Sequence, residues 1–297
     1  MQPDITISIV NTNNRDITLQ CLESVFSTQG DLQLEMIVVN NACTDGSSDA
    51  IRKAYPQVKI LENEKKLGFS TNNNLALNDA SGRYLMLLND DTIVQENAFQ
   101  SMVSFMDTHP EAGAIGANLL NPDLTFQFCF DWAPSPLYEG LRPFSERLRP
   151  LPQSHGRPLE VANVCGACML VRSSVANRIG FLDTQFDPIY SEEVDWCHRI
   201  TKAGWKIFHL PDARVIHIGS ATMNKIPVRR YEQVFEKKAL FFRKHYGIQS
   251  VAIYKLALFA NNFAKAGYWG IFRLLGISGA DGEFQTHWNM ARRALFL

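Results

Sequence analysis

The first 120 residues alternate between two hydrophobic periods. Ile5-Thr6-Ile7-Ser8-Ile9-Val10 alternates face by face and is rich in β-branched side chains, which predicts a strand. Leu19, Leu22, Val25 and Phe26 then recur at helical spacing, with Asp16 placed to cap that helix. Residues 34–39 read as a second strand, closed by a polar loop over 40–48. A helix over 49–55, a strand over 58–61 and a helix over 72–79 follow. Arg83-Tyr84-Leu85-Met86-Leu87-Leu88 is an almost continuous apolar run, as expected of a central strand covered on both faces. This alternation predicts an α/β domain with a mostly parallel sheet flanked by helices.

The pattern breaks over residues 119–160, which carry seven prolines and the arginines Arg142, Arg147, Arg149 and Arg157. A long irregular excursion is expected there, and such loops tend to carry function. The sheet resumes over 164–171, with a short helix over 173–179 and a further helix over 192–203. Residues 205–208 and 213–217 read as two short strands. Tyr231, Val234, Phe235, Phe241, Phe242 and His245 mark an amphipathic helix. Two regions follow: a domain over 1–225 and a helical, basic extension over 226–297.

Charge sharpens this division. The whole chain has a formal net charge of -1, which gives no nucleic-acid signal. From Lys225 onward, however, there are twelve Lys/Arg against four Asp/Glu, so the body is acidic and the extension basic. Residues 251–277 are the most apolar stretch, but Lys255, Asn261, Asn262, Lys265 and Arg273 interrupt it, so a spanning helix is not expected. Two roles stay open for that stretch: peripheral contact with a membrane, or packing on the catalytic domain or a second subunit as a homodimer. The opening Met1-Gln2-Pro3-Asp4 lacks the basic and apolar regions of a secretory signal, and the six cysteines form no disulfide-like framework, so a cytoplasmic setting is expected. Cys165 and Cys168 have a metal-like spacing without a second ligand pair, and read as buried strand residues.

In open parallel sheets ligands bind beyond the carboxyl ends of the strands. The first strand is followed by Asn11, Thr12, Asn13, Asn14 and Arg15, the second by Asn40, Asn41, Thr44 and Asp45, and the central one by Asn89, Asp90 and Asp91. Three polar clusters on one edge point to a site. Two adjacent carboxylates after a buried strand are costly unless a cation neutralises them, and a hard divalent ion would do so. The competing reading is that Asp90 or Asp91 caps a helix starting near Val94. A second acidic cluster, Glu192-Glu193-Val194-Asp195, opens a helix and supplies either a general base or dipole-complementing charge. These three carboxylates cannot all point the same way. Neither Gly-x-Gly-x-x-Gly nor a P-loop motif is present, which weighs against a dinucleotide dehydrogenase and a P-loop enzyme.

In order, these segments resemble the glycosyltransferase family 2 enzymes of the GT-A fold, especially bacterial rhamnosyltransferase-like members. The resemblance runs through Thr12-Asn13-Asn14-Arg15, Val39-Asn40-Asn41-Ala42-Cys43-Thr44-Asp45-Gly46-Ser47, Leu67-Gly68-Phe69-Ser70 with Asn72, Asn73 and Asn74, and Asn89-Asp90-Asp91. It continues through Cys165-Gly166-Ala167-Cys168, Glu192-Glu193-Val194-Asp195-Trp196-Cys197 with Arg199, Ala203, Gly204 and Trp205, and Pro211, Ala213 and His217. It covers roughly residues 5 to 246.

The resemblance implies inverting transfer of a sugar, rhamnose among the candidates, from a UDP- or dTDP-sugar donor to a glycan or lipid-linked glycan in cell-surface polysaccharide assembly. The protein would work in the cytoplasm or at the inner face of the cytoplasmic membrane. Thr12, Asn14, Arg15, Asn40, Asn41, Gly68, Asn73, Asn89 and Asp90 would form the nucleotide-sugar site. Asp91 would hold Mg2+ or Mn2+, with His217 completing that shell or contacting the diphosphate, and Gly166 and Ala167 would line the acceptor side. Glu193 falls on the family's base aspartate. It is one methylene longer, so Glu192 and Asp195 remain candidates for the same task. Asn40 replaces an aspartate that usually reads the base edge. Two other functions stay open, a sugar-nucleotide nucleotidyltransferase and a catalytically inactive sugar-nucleotide-binding protein.

Overall fold

The computed structural model describes residues 2–141, 156–219 and 227–296. Positions 142–155 of the Pro/Arg-rich excursion and the expected boundary at 225/226 lie outside the described residues. The chain forms two compact units, Met1–Ala133 with Gln153–Pro227 and Pro134–Pro152 with Val228–Leu297.

The first unit is built on a mixed sheet. Its strands are β1 (Ile5–Asn11), β2 (Leu34–Asn41), β3 (Lys59–Asn63), β4 (Tyr84–Asn89), β5 (Thr92–Val94), β6 (Ala112–Leu120), β7 (Phe130–Asp131), β8 (Leu159–Val161), β9 (Asn163–Val164), β10 (Cys168–Arg172) and β11 (Lys206–His217). The main path runs 3-2-1-4-10-6-11-5, with β8 beside β11, and β7 and β9 pair separately. The helices, in chain order, are α1 (Arg15–Thr28), α2 (Ser47–Ala54), α3 (Phe69–Asn78), α4 (Ala98–Thr108), α5 (Pro136–Gly140), α6 (Ser173–Ile179), α7 (Glu192–Lys202), α8 (Pro227–Tyr246), α9 (Ile248–Leu274) and α10 (Ala280–Ala294).

β1 to β4 are parallel, as the alternation predicts. The chain steps outward from β1 to β2 and β3, then returns to lay β4 on the other side of β1. Such a reversal opens a crevice between the two strands at their carboxyl ends. Beyond β4 the sheet becomes mixed: β10 is antiparallel to β4 and β6, and β11 is parallel to β6 but antiparallel to β5.

Ile5, Ile7 and Ile9 are fully buried on one side of β1. On the other side α3 lies over the sheet. Ala76 packs with Val10, Ile37, Val39 and Leu61, and Ser8 Oγ donates to Asn73 Oδ1 at 2.8 Å.

Three local expectations change. Asp16 lies in the first turn of α1, where it complements the dipole, and the residue before the helix is Asn14. Residues 205–208 and 213–217 belong to one strand, β11, whose pairing with β6 shifts register between Leu210 and Arg214. Asp90 and Asp91 cap no helix, because a strand follows them and α4 starts only at Ala98.

The second unit contains α5, α8, α9 and α10. α9 packs along both α10 and α5. Lys238 pairs with the buried Glu139, and Asn262 Oδ1 lies 3.1 Å from His287 Nδ1. Among the described residues no helix is long and apolar enough to cross a membrane.

Gly116 of β6 shows how tightly the sheet is covered. A Cβ there would sit 2.5 Å from Val164 Cβ. Gly116→Ala should therefore cost about 1–3 kcal/mol through overpacking, read as a lower midpoint in thermal or urea unfolding. A midpoint equal to that of the parent would show that β9 can move aside freely.

Candidate active site

The loops after β1 and β2 are laced to each other by side chains. Asn13, in the left-handed region at φ 54°, donates its backbone N–H to Cys43 Sγ at 3.1 Å. Its Oδ1 accepts from Thr44 N at 2.7 Å, and Arg15 N donates to Asp45 Oδ2 at 2.9 Å. Burial raises the Asp45 carboxyl, but hydrogen bonds from Ser47 and from the Arg15 backbone outweigh it and hold the group below the ordinary range. Asn13, Asn14, Arg15 and Asp45 border a polar hollow of about 430 Å³.

Several amides of the expected nucleotide site also shape these loops. Asn40 Oδ1 accepts from Cys43 N at 3.0 Å and its Nδ2 donates to Ser48 Oγ. Asn41 clamps Leu67 from both sides, its Oδ1 accepting from Leu67 N at 2.8 Å and its Nδ2 donating to Leu67 O at 3.1 Å. The same Nδ2 reaches Thr12 Oγ1 at 3.3 Å. Asn73 is buried between Ser8 and the carbonyl of Phe69. Gly68 is required by a close approach, since a Cβ there would fall 2.2 Å from Asp187 Cγ. Asp187 in turn accepts from Ser70 N at 2.9 Å and from Thr71 Oγ1, so it caps α3 from a distant loop. Nothing in the local sequence around Asp187 singles it out for this task.

The crevice between β1 and β4 holds the acidic pair. Asn14 Nδ2 donates across it to Asp90 Oδ2 at 3.0 Å. Burial pushes the Asp90 carboxyl up to about 7. The Asn14 hydrogen bond opposes that rise and the charge of Asp91 adds to it.

Asp91 Oδ1 lies 3.2 Å from His217 Nε2, at the carboxyl end of β11. Gln127 sets the imidazole. Its Nε2 donates to Asn121 Oδ1 at 3.0 Å and to His217 O at 3.1 Å, which fixes the amide orientation. Its Oε1 therefore faces His217 Nδ1, at 2.6 Å, and accepts the proton there. In the neutral ring Nε2 then presents a lone pair toward Asp91 and toward Asn89 Nδ2, 3.2 Å away. Two neighbouring ligands of an octahedral ion with bonds near 2.1 Å lie about 3 Å apart, so this oxygen and nitrogen are spaced for one cation. A carbonyl holding the far nitrogen is the usual support for a ligating histidine. Gln127 sits in the excursion after β6, where no pattern marked it.

The acidic helix start divides into three environments. Asp195 is fully buried and pairs with Arg199 Nε at 2.8 Å, while the same guanidinium bonds the carbonyls of Ile179, Gly180 and Phe181. That bond set holds α7 on the loop after α6. Glu192 is also buried, and its Oε2 has no hydrogen-bond partner. Burial, reinforced by the charge of Glu193, pushes its carboxyl well above the ordinary range. Glu193 is half-buried, and a Cβ on Gly166 would lie 3.6 Å from its own. The next residue, Ala167, accepts from Asn89 N at 3.0 Å. Gly166 and Ala167 thus link Glu193 to the strand end that carries Asn89, Asp90 and Asp91.

The sheet that reverses beside an acidic, histidine-flanked crevice is an α/β fold with its candidate site at the strand ends. Residues 6–180 match the family described as glycosyl transferase family 2, and the chain belongs to that family. Over 210 residues it is 28% identical to an N-acetylglucosaminyl-diphospho-decaprenol L-rhamnosyltransferase of Mycobacterium tuberculosis, covering 62% of this chain and 66% of the relative. Among solved structures, a mannosyltransferase from Pyrobaculum calidifontis in complex with GDP-Man and Mn2+ aligns with a TM-score of 0.60 at 15% identity, over 100% of this chain and 87% of that one. GalNAc-T7 with UDP, GalNAc and Mn2+ aligns with a TM-score of 0.61 at 14% identity, over 82% and 48%. The fold is the GT-A type.

The state of Glu192 has a measurable signature. Its folded carboxyl titrates above its unfolded value, so the stability it permits is complete at low pH and is lost as pH rises toward the folded value. Glu192→Gln should therefore melt higher than the parent at about pH 8, with the gap closing toward about pH 4. A gap that does not change with pH would mean that Glu192 is ionised in the fold.

Proposed function

We propose that the protein is an inverting, divalent-metal-dependent hexosyltransferase. It moves a sugar, rhamnose foremost, from a UDP- or dTDP-sugar to a hydroxyl of a glycan or lipid-linked glycan. The observation that carries this reading is the Asp91–His217 pair, with its tautomer set by Gln127, at the end of the crevice between β1 and β4. Asp91 and His217 would hold Mg2+ or Mn2+, and the remaining ligands would be diphosphate oxygens and water, the usual shell of such ions. A bound ion there supplies charge stabilisation to the departing diphosphate.

The chain's own groups divide the remaining work. The hollow bordered by Asn14 and Arg15 receives the nucleoside, and Asp90 is held at the crevice by Asn14. Glu193 takes the proton from the acceptor hydroxyl as that oxygen attacks the anomeric carbon opposite the leaving group, which inverts the centre. Glu192, kept neutral beside it, adds no second negative charge. The lipid-linked sugar named for the mycobacterial relative supports an acceptor of that class. All six cysteines are free thiols, which suits a reducing compartment.

The test is donor turnover with a panel of nucleotide sugars, Mn2+ and candidate acceptors, following release of nucleoside diphosphate. Asp91→Ala should abolish metal-dependent release, and Glu193→Gln should bind donor without turnover. Gln127→Leu should weaken Mn2+ affinity about 10–100-fold, measured by titration calorimetry with the nucleoside diphosphate present. Release of pyrophosphate instead would favour a nucleotidyltransferase, and donor binding without turnover in the parent protein would favour an inactive binding protein. Full turnover by Asp91→Ala would sink the metal assignment.

A further inference from the structure

The helix α9 carries apolar residues on two sides. The side that faces its own unit carries Val251, Tyr254, Ala257, Leu258 and Ala266 together with Ser250, Asn261 and Asn262, all buried. Asn262 bonds the carbonyl of Leu258 and meets His287 of α10. The exposed side carries Ile253, Leu256, Phe263, Ile271 and Leu274, recurring at helical spacing with Ala260, Ala264 and Gly267 between them. Leu256 is 67% exposed and Leu274 is 88% exposed. At about 1.5 Å per residue, the stripe from Ile253 to Leu274 runs roughly 32 Å along this 27-residue helix. The stripe continues past the helix end through Leu275 and Ile277, also exposed. Scattered exposed apolar residues need no explanation, but a contiguous stripe of this length marks a covered surface.

The charges around the stripe say what covers it. From Lys237 to the end there are nine lysines and arginines against two acidic residues, and although Lys238 pairs with Glu139 and Arg273 with Asp281 the balance stays basic. A second copy laid on this face would bring one cationic set against another, whereas an anionic surface complements it. The helix is not apolar enough all round to cross a bilayer. A helix with one apolar side, cations beside it and aromatic residues such as Tyr268 and Trp269 along its length lies in the headgroup plane.

We infer that the exposed face of α9, with the turn that follows it, is a docking surface for an anionic phospholipid bilayer. The apolar side chains enter the acyl boundary and the lysines and arginines meet phosphate headgroups. This surface lies wholly in the second unit and uses no residue of the donor site. Vesicle binding and nucleoside diphosphate release in solution therefore fail independently.

The test is flotation of the full-length protein with phosphatidylcholine vesicles, with and without phosphatidylglycerol. The parent should float with the anionic vesicles at low salt, float much less with phosphatidylcholine alone, and lose binding as salt rises. Leu256→Glu and Leu274→Glu replace exposed side chains, so both should keep the parent circular dichroism and melting curve. Each should lower the fraction floated by about fivefold or more. Equal flotation of parent and both variants, or no flotation with anionic vesicles, overturns the inference. So does a dimer in sedimentation velocity that the two substitutions split while vesicle binding is absent.

Discussion

The site depends on the register of three parallel strands. Asn11 of β1 pairs with Asn40 of β2, and Val10 pairs with Asn89 of β4, so three strand ends finish at nearly the same level. Because β4 lies beside β1 on the side away from β2, the loops that follow must part there. Backbone donors and acceptors at such an edge have no further strand to bond, and unpaired buried ones are costly. The amides and hydroxyls clustered after each strand answer that demand first. Asn11 Oδ1 accepts from Asn14 N, Asn40 Oδ1 from Cys43 N, and Thr92 Oγ1 donates to Asn89 O. Among the groups left at the edge once this framework is satisfied are the carboxylates of Asp90 and Asp91 and the buried Nδ2 of Asn11, which has no partner.

That division explains why neighbouring residues of similar type have different fates. Asp90 and Asp91 are adjacent and both buried, yet one meets an amide and the other an imidazole. Glu192, Glu193 and Asp195 share one helical turn and point in different directions, as helix geometry requires. Asp195 meets a guanidinium, Glu192 is buried with one oxygen unpartnered, and Glu193 remains partly in solvent beside Gly166. A buried ion pair such as Asp195–Arg199 is weak evidence of added stability, but it fixes where α7 begins. The half-exposed carboxylate is thereby left at a set position relative to the crevice.

Much of this was legible in the sequence, and the limits are physical. The strand ends follow from period-two patterning, and the acidic crevice from two carboxylates placed after a buried run. The roles of individual amides were not legible. Asn40, Asn41 and Asn73 each offer a donor and an acceptor, and only the fold decides whether those meet backbone or ligand. Gln127 lies in a proline-rich stretch without periodicity, and Asp187 acts on a helix more than a hundred residues away. The long β11 read as two strands because Pro211 and Asp212 interrupt its alternation, where its pairing with β6 shifts register. The mixed half of the sheet was hidden because β5 is short and β10 enters from the excursion.

The second unit shows a different balance of the same forces. Composition alone revealed its basic charge but not which side of α9 is wet. In an ordinary surface helix the apolar side turns inward, because each fully buried Leu, Ile or Phe contributes roughly 2 kcal/mol. Here the inward side of α9 buries Val251, Tyr254 and Leu258 while Asn262 meets His287 of α10, and a second set of large apolar side chains is left outside. Water alone does not favour that arrangement. It becomes favourable once a surface that is apolar below and anionic above takes the place of water. The same surface would repel the acidic first unit and attract the basic second one. On the proposed docking to an anionic bilayer, the basic charge of the second unit and the exposed apolar stripe of α9 would answer to one partner.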